Sequence, residues 1–183
     1  MYLHRPEEQF YLSRFVFLRA LGLIYTVAFL SLFNDVLPLL GSNGLLPADL
    51  YIERLQQHFG SPWEALLEMP SLFHYQISDG LLKSLSFLGI LLSLLVLFGY
   101  CNALILLTIW GLYFSFVSIG QTWFAFGWES QLLETGLLAV FLVPLFNFRP
   151  LSSRPPKIII ALSWWLIFRI MLGAGLIKIR GDE

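Results

Sequence analysis

Ile158-Ile159-Ile160-Ala161-Leu162-Ser163-Trp164-Trp165-Leu166-Ile167-Phe168-Arg169-Ile170-Met171-Leu172-Gly173-Ala174-Gly175-Leu176-Ile177 is an almost wholly apolar run, closed by Lys178-Ile179-Arg180-Gly181-Asp182. A run of about twenty apolar residues is long enough to cross a bilayer as a helix. One charge, Arg169, interrupts it near the middle. A central arginine costs roughly 2.5–3.5 kcal/mol to insert, so it requires a partner or a watery cavity. Arg169 is therefore the first candidate for a functional position.

The rest of the chain has the same character. It is 57% hydrophobic and only 13% charged, with a mean hydropathy of +0.75. Soluble domains carry about 25% charged residues. The class is an integral membrane protein, all-α, a polytopic helical bundle. A net charge of −1 offers nothing to nucleic acid. The single cysteine, Cys101, excludes an intramolecular disulfide. The first apolar run is too long for a signal peptide and lacks a small-residue cleavage pattern.

Hydropathy gives about five spans, near residues 15–33, 81–98, 103–119, 128–146 and 158–179. Residues 1–183 thus read as a single transmembrane domain. Gly99-Tyr100-Cys101-Asn102 is the only link between the second and third spans, which makes them antiparallel neighbours. Pro144 marks the end of the fourth. The first loop, Asn34 to Gly80, is long and carries six acids. Within it, Gly41-Ser42-Asn43-Gly44 signals a turn. Pro47 opens a short helix with Tyr51, Leu55 and Phe59 on one stripe. Ser61-Pro62-Trp63-Glu64 is a capping box. These read as short interfacial helices. Arg5, Arg14, Arg149, Arg154 and Lys157 flank one side of the spans, while Arg54, Lys83, Lys178 and Arg180 fall on the other. That balance places the N-terminus in the cytoplasm.

Small residues recur at steps of three and four: Gly22 and Thr26 in the first span, with Arg19 on the same stripe either facing the bundle or snorkelling to the interface; Ser86, Gly89 and Ser93 in the second; Thr108, Gly111, Ser115 and Ser118 in the third. Such stripes are packing faces, because helices associate in lipid through close contact of small residues. Gly173 in the fifth span belongs with them.

The fourth span opens Trp128-Glu129-Ser130-Gln131-Leu132-Leu133-Glu134-Thr135. At about 100° per residue, Ser130, Gln131 and Glu134 share a face, and Glu129 lies about 140° from Glu134. Glu129 is expected at the outer interface and Glu134 roughly 8–9 Å deeper. Arg169 lies about 15 Å from the outer end of the fifth span. The axial offset of about 6 Å from Glu134 is within reach of two extended side chains. Glu129, Gln131, Glu134, Arg169, Lys178 and Arg180 thus form a candidate intramembrane polar cluster, with a Glu134–Arg169 pair at its centre. The pair is either a clamp that fixes register or part of a polar site open to the outer face. Lys178 is about 180° from Arg169 and joins it only if the helix unwinds at Gly173-Ala174-Gly175. Lys178 is otherwise a snorkelling lysine; a buried lysine of lowered pKa acting as a base is the alternative. His4, His58 and His74 lack metal-ligand spacing, and no P-loop, zincin or nucleophile-elbow motif is present. No metal or cofactor is implied.

Four stretches, in order, resemble the lipase maturation factor family. They are Arg19-Ala20-Leu21-Gly22-Leu23-Ile24-Tyr25 with Gly41-Ser42-Asn43-Gly44-Leu45-Leu46-Pro47; Pro70-Ser71-Leu72-Phe73 with Ser78-Asp79; Trp128 to Gly136; and Phe168 to Asp182. The resemblance implies a polytopic, non-enzymatic membrane protein that assists the folding of secreted lipases. Eukaryotic members sit in the endoplasmic reticulum, and bacterial members exist. Members continue past the Arg-Gly-Asp stretch into a large non-cytoplasmic region that engages the client. By that comparison, this chain is expected to be a truncated N-terminal membrane part. Its implied partners are membrane lipid and, through a region outside the chain, a secreted lipase. The lack of Asn-x-Ser/Thr sites and the compact loops lean toward a bacterial inner membrane, with the endoplasmic reticulum as the alternative. A shorter likeness, Ala174-Gly175-Leu176-Ile177-Lys178, is similar to a motif in vitamin K-dependent gamma-carboxylases. It implies Lys178 as a catalytic base. A non-catalytic scaffold is the third reading.

Overall fold

The computed structural model describes residues 6–148 and 155–181. Arg5, Arg149 and Arg154, used above to orient the chain, lie outside them. The described residues form helices α1 (Pro6–Leu40), α2 (Ala48–Phe59), α3 (Pro62–Glu68), α4 (Asp79–Phe98), α5 (Ala103–Ile119), α6 (Gly127–Val140) and α7 (Lys157–Arg180). Short 3-10 turns occupy Leu72–His74 and Gln121–Phe124.

Local chemistry sets many of the ends. The Ser61 hydroxyl accepts from the Glu64 amide at 3.1 Å, with Pro62 at the first helical position of α3. Ser78 caps α4 by accepting from the Leu81 amide. Gly99, at φ 98°, ends that helix in a left-handed turn that few other residues adopt. Three residues later, the Asn102 side chain accepts from the Ile105 amide at 2.9 Å and starts α5. Stop and start signals thus fall within four residues, and the α4–α5 hairpin follows. Cys101 is buried in this turn, and burial pushes its thiol pKa up to about 12.

Two boundaries differ from the hydropathy reading. Helix α1 has 35 residues, about 52 Å, and overruns the 15–33 span at both ends. Asn34 and Asp35 end the apolar run but do not break a helix. Pro38 lies within the helix, near its end. Helix α6 stops at Val140, short of Phe146. Pro144 lacks an amide hydrogen and disfavours helix at Val143. The carbonyls freed there serve other helices. Leu142 accepts from Arg14 Nη1 at 3.0 Å, and Pro144 accepts from the Ala103 amide at 3.0 Å.

The count of about five spans is coarser in the structure. Three helices are long and apolar enough to cross a membrane: residues Tyr11–Leu40 of α1, then α4 and α7. Helix α5 is apolar but has 17 residues, and α6 has 14. At 1.5 Å per residue these reach about 26 and 21 Å, against a hydrocarbon layer of about 30 Å.

The tightest seam joins α1 and α4, antiparallel. A β-carbon at Gly22 would lie 2.7 Å from the Leu97 backbone nitrogen. One turn on, the Thr26 hydroxyl donates to Ser93 Oγ at 3.0 Å, which donates to the Ile90 carbonyl. Next, the Phe29 ring fills the space over Gly89. At the far end, Lys83 Nζ donates to the Phe33 carbonyl at 2.6 Å and sits 4.0 Å over its ring. Tyr25 and Phe29 also meet Tyr113 of α5 edge-on, at centroid distances of 5.7 and 5.6 Å.

The first loop folds over the ends of these helices. Ser42 donates through its amide and hydroxyl to Asp79, at 2.8 and 2.9 Å. Ser71 donates to the Ser115 carbonyl, while Ser115 Oγ accepts from the Leu72 amide. Ala48, Ile52 and Phe73 are buried in the same core as α5. The Tyr51, Leu55 and Phe59 stripe is half-buried beside them.

Not every small residue marks a contact. A β-carbon at Gly111 or Gly173 would meet nothing within 4 Å. These two are not close-packing points, because a periodic stripe identifies a face but not whether a neighbour covers it. Gly22→Leu and Gly89→Leu should each destabilise the protein by about 1–3 kcal/mol through overpacking. Gly111→Ala and Gly173→Ala should be neutral or stabilise by up to about 1 kcal/mol. Reversible unfolding in detergent micelles measures all four; equal losses at all four sites would contradict the seam.

Candidate functional site

Helix α6 connects the core to the charged seam. Its inner face is gripped through backbone carbonyls. The Tyr25 hydroxyl donates to the Leu132 carbonyl at 3.2 Å, and Trp110 Nε1 of α5 donates to the Leu133 carbonyl at 2.9 Å. Gly136 allows the first contact, since a β-carbon there would collide with the Tyr25 hydroxyl. Each α6 carbonyl already serves its own helix, so these are extra bonds that fix rotation.

With that face held inward, Glu134 is turned toward α7. Arg169 Nη2 donates to Glu134 Oε2, and the two form a salt bridge. Both side chains are about half exposed, 53% and 44%, so the pair lies at the edge of the bundle rather than in its core. In α7 only Ile159 and Leu166 are buried. Apolar packing therefore contributes little to docking this helix, and the ion pair is its strongest specific link to α6.

The remaining members of the expected cluster do not converge on this pair. Glu129 was expected at the outer interface. It stands at the start of α6 and is buried, 2% exposed, because its place on the α6 face opposite Glu134 turns it into the bundle. Its carboxylate meets a cavity against α1 and α5. Gln131 is exposed, and its carbonyl accepts from Thr135 Oγ1 at 2.7 Å. Lys178 and Arg180 are exposed at the end of α7. The helix is continuous through Gly173-Ala174-Gly175, so the unwinding that would bring Lys178 to Arg169 does not occur. Lys178 is not enclosed in a polar cavity, which the catalytic-base reading requires. The carboxylase-like reading has no support in this geometry.

Sequence reasoning passed over Arg14 as a structural residue. It is 3% exposed, and its Nη1 holds the chain just beyond α6. Its signal was position, since α1 begins well before residue 15. Among the described residues, no group of three or more His, Cys, Asp or Glu could hold a metal ion.

A helical bundle crossed by apolar helices, with a charge pair between its last two, defines a polytopic membrane protein. Comparison with known proteins is more specific. Residues 12–183 match the family model of the lipase maturation factor transmembrane domain, and the chain belongs to that family. It is 47% identical to mouse lipase maturation factor 1, over 95% of this chain and 32% of the relative. Identity to the cattle protein of the same name is 46%, over 95% and 32%. Lipase maturation factor 2 of Xenopus tropicalis is 36% identical, over 92% and 25%. The chain spans about a third of the length of the first of these relatives. No solved structure matches it.

Removing one member of the charge pair leaves the other alone in apolar surroundings. Glu134→Gln or Arg169→Met should each destabilise the α6–α7 contact by up to roughly 2.5–3.5 kcal/mol. The double variant should recover part of the loss, with a coupling of about 0.5–3 kcal/mol. A double-mutant cycle on unfolding in micelles checks this, and additive losses would show that the pair is not coupled.

Proposed function

We propose that this chain is the membrane part of a factor that assists folding or assembly of secreted lipases. The observation that carries the reading is the family match over residues 12–183, together with relatives named lipase maturation factors. The relatives are vertebrate proteins, which supports the endoplasmic reticulum membrane over a bacterial inner membrane. Five crossings, with a cytoplasmic N-terminus and α7 ending on the lumenal side, suit the alternating directions of α1, α4, α5, α6 and α7. In that arrangement the first loop, the α6 N-terminus and the α7 C-terminus share the lumenal face. The client would be engaged there by a region beyond this chain, and the present residues act as anchor rather than enzyme.

In this reading the Glu134–Arg169 pair is a clamp that sets how α7 leaves the bundle. A full-length protein containing this chain should restore secretion of active lipase in cells lacking their own maturation factor, measured as lipase activity per mass of secreted lipase. Glu134→Arg alone should reduce that ratio several-fold. Glu134→Arg combined with Arg169→Glu should restore it, since a clamp needs opposite charges but not their order. Failure of the unsubstituted protein would overturn the maturation reading. Failure of the swap in a protein that still folds would make the pair a polar site rather than a clamp.

A further inference from the structure

Behind Glu129 lies a cavity of about 150 Å³ between α1, α5, the Gln121–Phe124 turn and the start of α6. Asp35, Tyr113, Trp123, Phe124, Trp128 and Glu129 line it. Glu129 is 2% exposed and Tyr113 1%. Among the described residues, Glu129 Oε2 and the Tyr113 hydroxyl have no hydrogen-bond partner. Two buried oxygens left unsatisfied beside one space mark a place where something else binds. None of the described residues lining the cavity is Lys, Arg or His, so no basic side chain on the cavity wall offsets the carboxylate. Asp35, which accepts from Ser31 Oγ at 3.4 Å, adds a second acid.

The walls specify the kind of cation. Tyr113 stands 6.5 Å from Phe124 and 6.4 Å from Trp128, centroid to centroid. Aromatic faces around a carboxylate suit an organic ammonium, which gains cation–π attraction from the rings. A metal ion is a poorer fit, because among the described residues no group of three or more His, Cys, Asp or Glu could hold one. The space is adequate, since a cavity of about 150 Å³ takes a molecule the size of benzene. Trp128 is half exposed and Trp123 about one third, and exposed tryptophans belong at the headgroup level of a bilayer. The same end of the bundle carries the α4 N-terminus and the last turns of α1.

We propose that this cavity binds the ammonium headgroup of a zwitterionic phospholipid, with Glu129 opposing the charge and Tyr113, Trp123 and Trp128 facing it. The test offers the full chain, purified in nonionic detergent, equal amounts of phosphatidylcholine, phosphatidylethanolamine and phosphatidylglycerol with identical acyl chains. Retained lipid is measured by native mass spectrometry. The two ammonium lipids should be retained roughly five- to tenfold over phosphatidylglycerol. Tetramethylammonium chloride should displace them, and sodium chloride at equal ionic strength should not. Glu129→Gln should abolish the preference without lowering thermal stability, because it removes an unpaired buried charge. Trp128→Leu, at a half-exposed position, should weaken the preference even if Glu129→Gln folds poorly, and Glu53→Gln on exposed α2 should leave it intact. Equal retention of all three lipids, or a preference that survives both cavity variants, would overturn the proposal. Saturable stabilisation by tetramethylammonium without any lipid preference would assign the cavity to a free ammonium solute and overturn the lipid assignment.

Discussion

Backbone contact between α1 and α4 is the constraint on which the rest of the structure depends. In lipid no hydrophobic drive pushes helices together, so association rests on close packing and interhelical hydrogen bonds. Gly22 lets the α4 backbone at Leu97 come up against α1, and Gly89 gives the Phe29 ring a seat. Between them the Thr26–Ser93 hydroxyl contact satisfies polar groups that hydrocarbon would leave bare. With α1 held in this register, Phe29 lies between Gly89 of α4 and Tyr113 of α5, and Tyr25 meets the same Tyr113 ring. Tyr25 then reaches α6 over Gly136. Each helix is positioned by the one before it.

Attachment weakens outward along that sequence of contacts. Among the described residues, the α1–α4 seam is close-packed, two side chains bond to α6 carbonyls, and α7 has two buried side chains and an ion pair to α6. The core is fixed by close packing, while α7 is joined to α6 through the Glu134–Arg169 contact. The two acids of α6 divide the work. Glu134 faces α7, and Glu129 faces a cavity against α1 and α5.

Much of this was legible in residue spacing. Periodicity set Glu134 and Arg169 about 6 Å apart in depth, within side-chain reach, and the structure joins them. The small-residue stripes of α1 and α4 fall on the seam at Gly22, Gly89 and Ser93. The same rule misled at Gly111 and Gly173, since spacing reports a face and not its neighbour. Hydropathy reports where apolar residues stop rather than where a helix does, which is why α1 was read short and α6 long. For Glu129, depth says nothing of direction; its angle, about 140° from Glu134, turns the carboxylate toward α1 and α5. The family likeness was legible in the charged stretches, where acids and arginines inside apolar helices leave few alternatives.

The register of the α1–α4 seam can be measured directly in membranes. Thr26→Cys and Ser93→Cys, introduced with Cys101→Ser in the full-length protein, place two thiols where the native hydroxyl oxygens stand 3.0 Å apart. Mild oxidation should form an intramolecular disulfide in nearly every molecule, while Thr26→Cys paired with Phe87→Cys, on a different face of α4 and about two turns away, should not cross-link. An efficient bond in the second pair, or cross-links only between molecules, would contradict the packing from which the rest of the bundle follows.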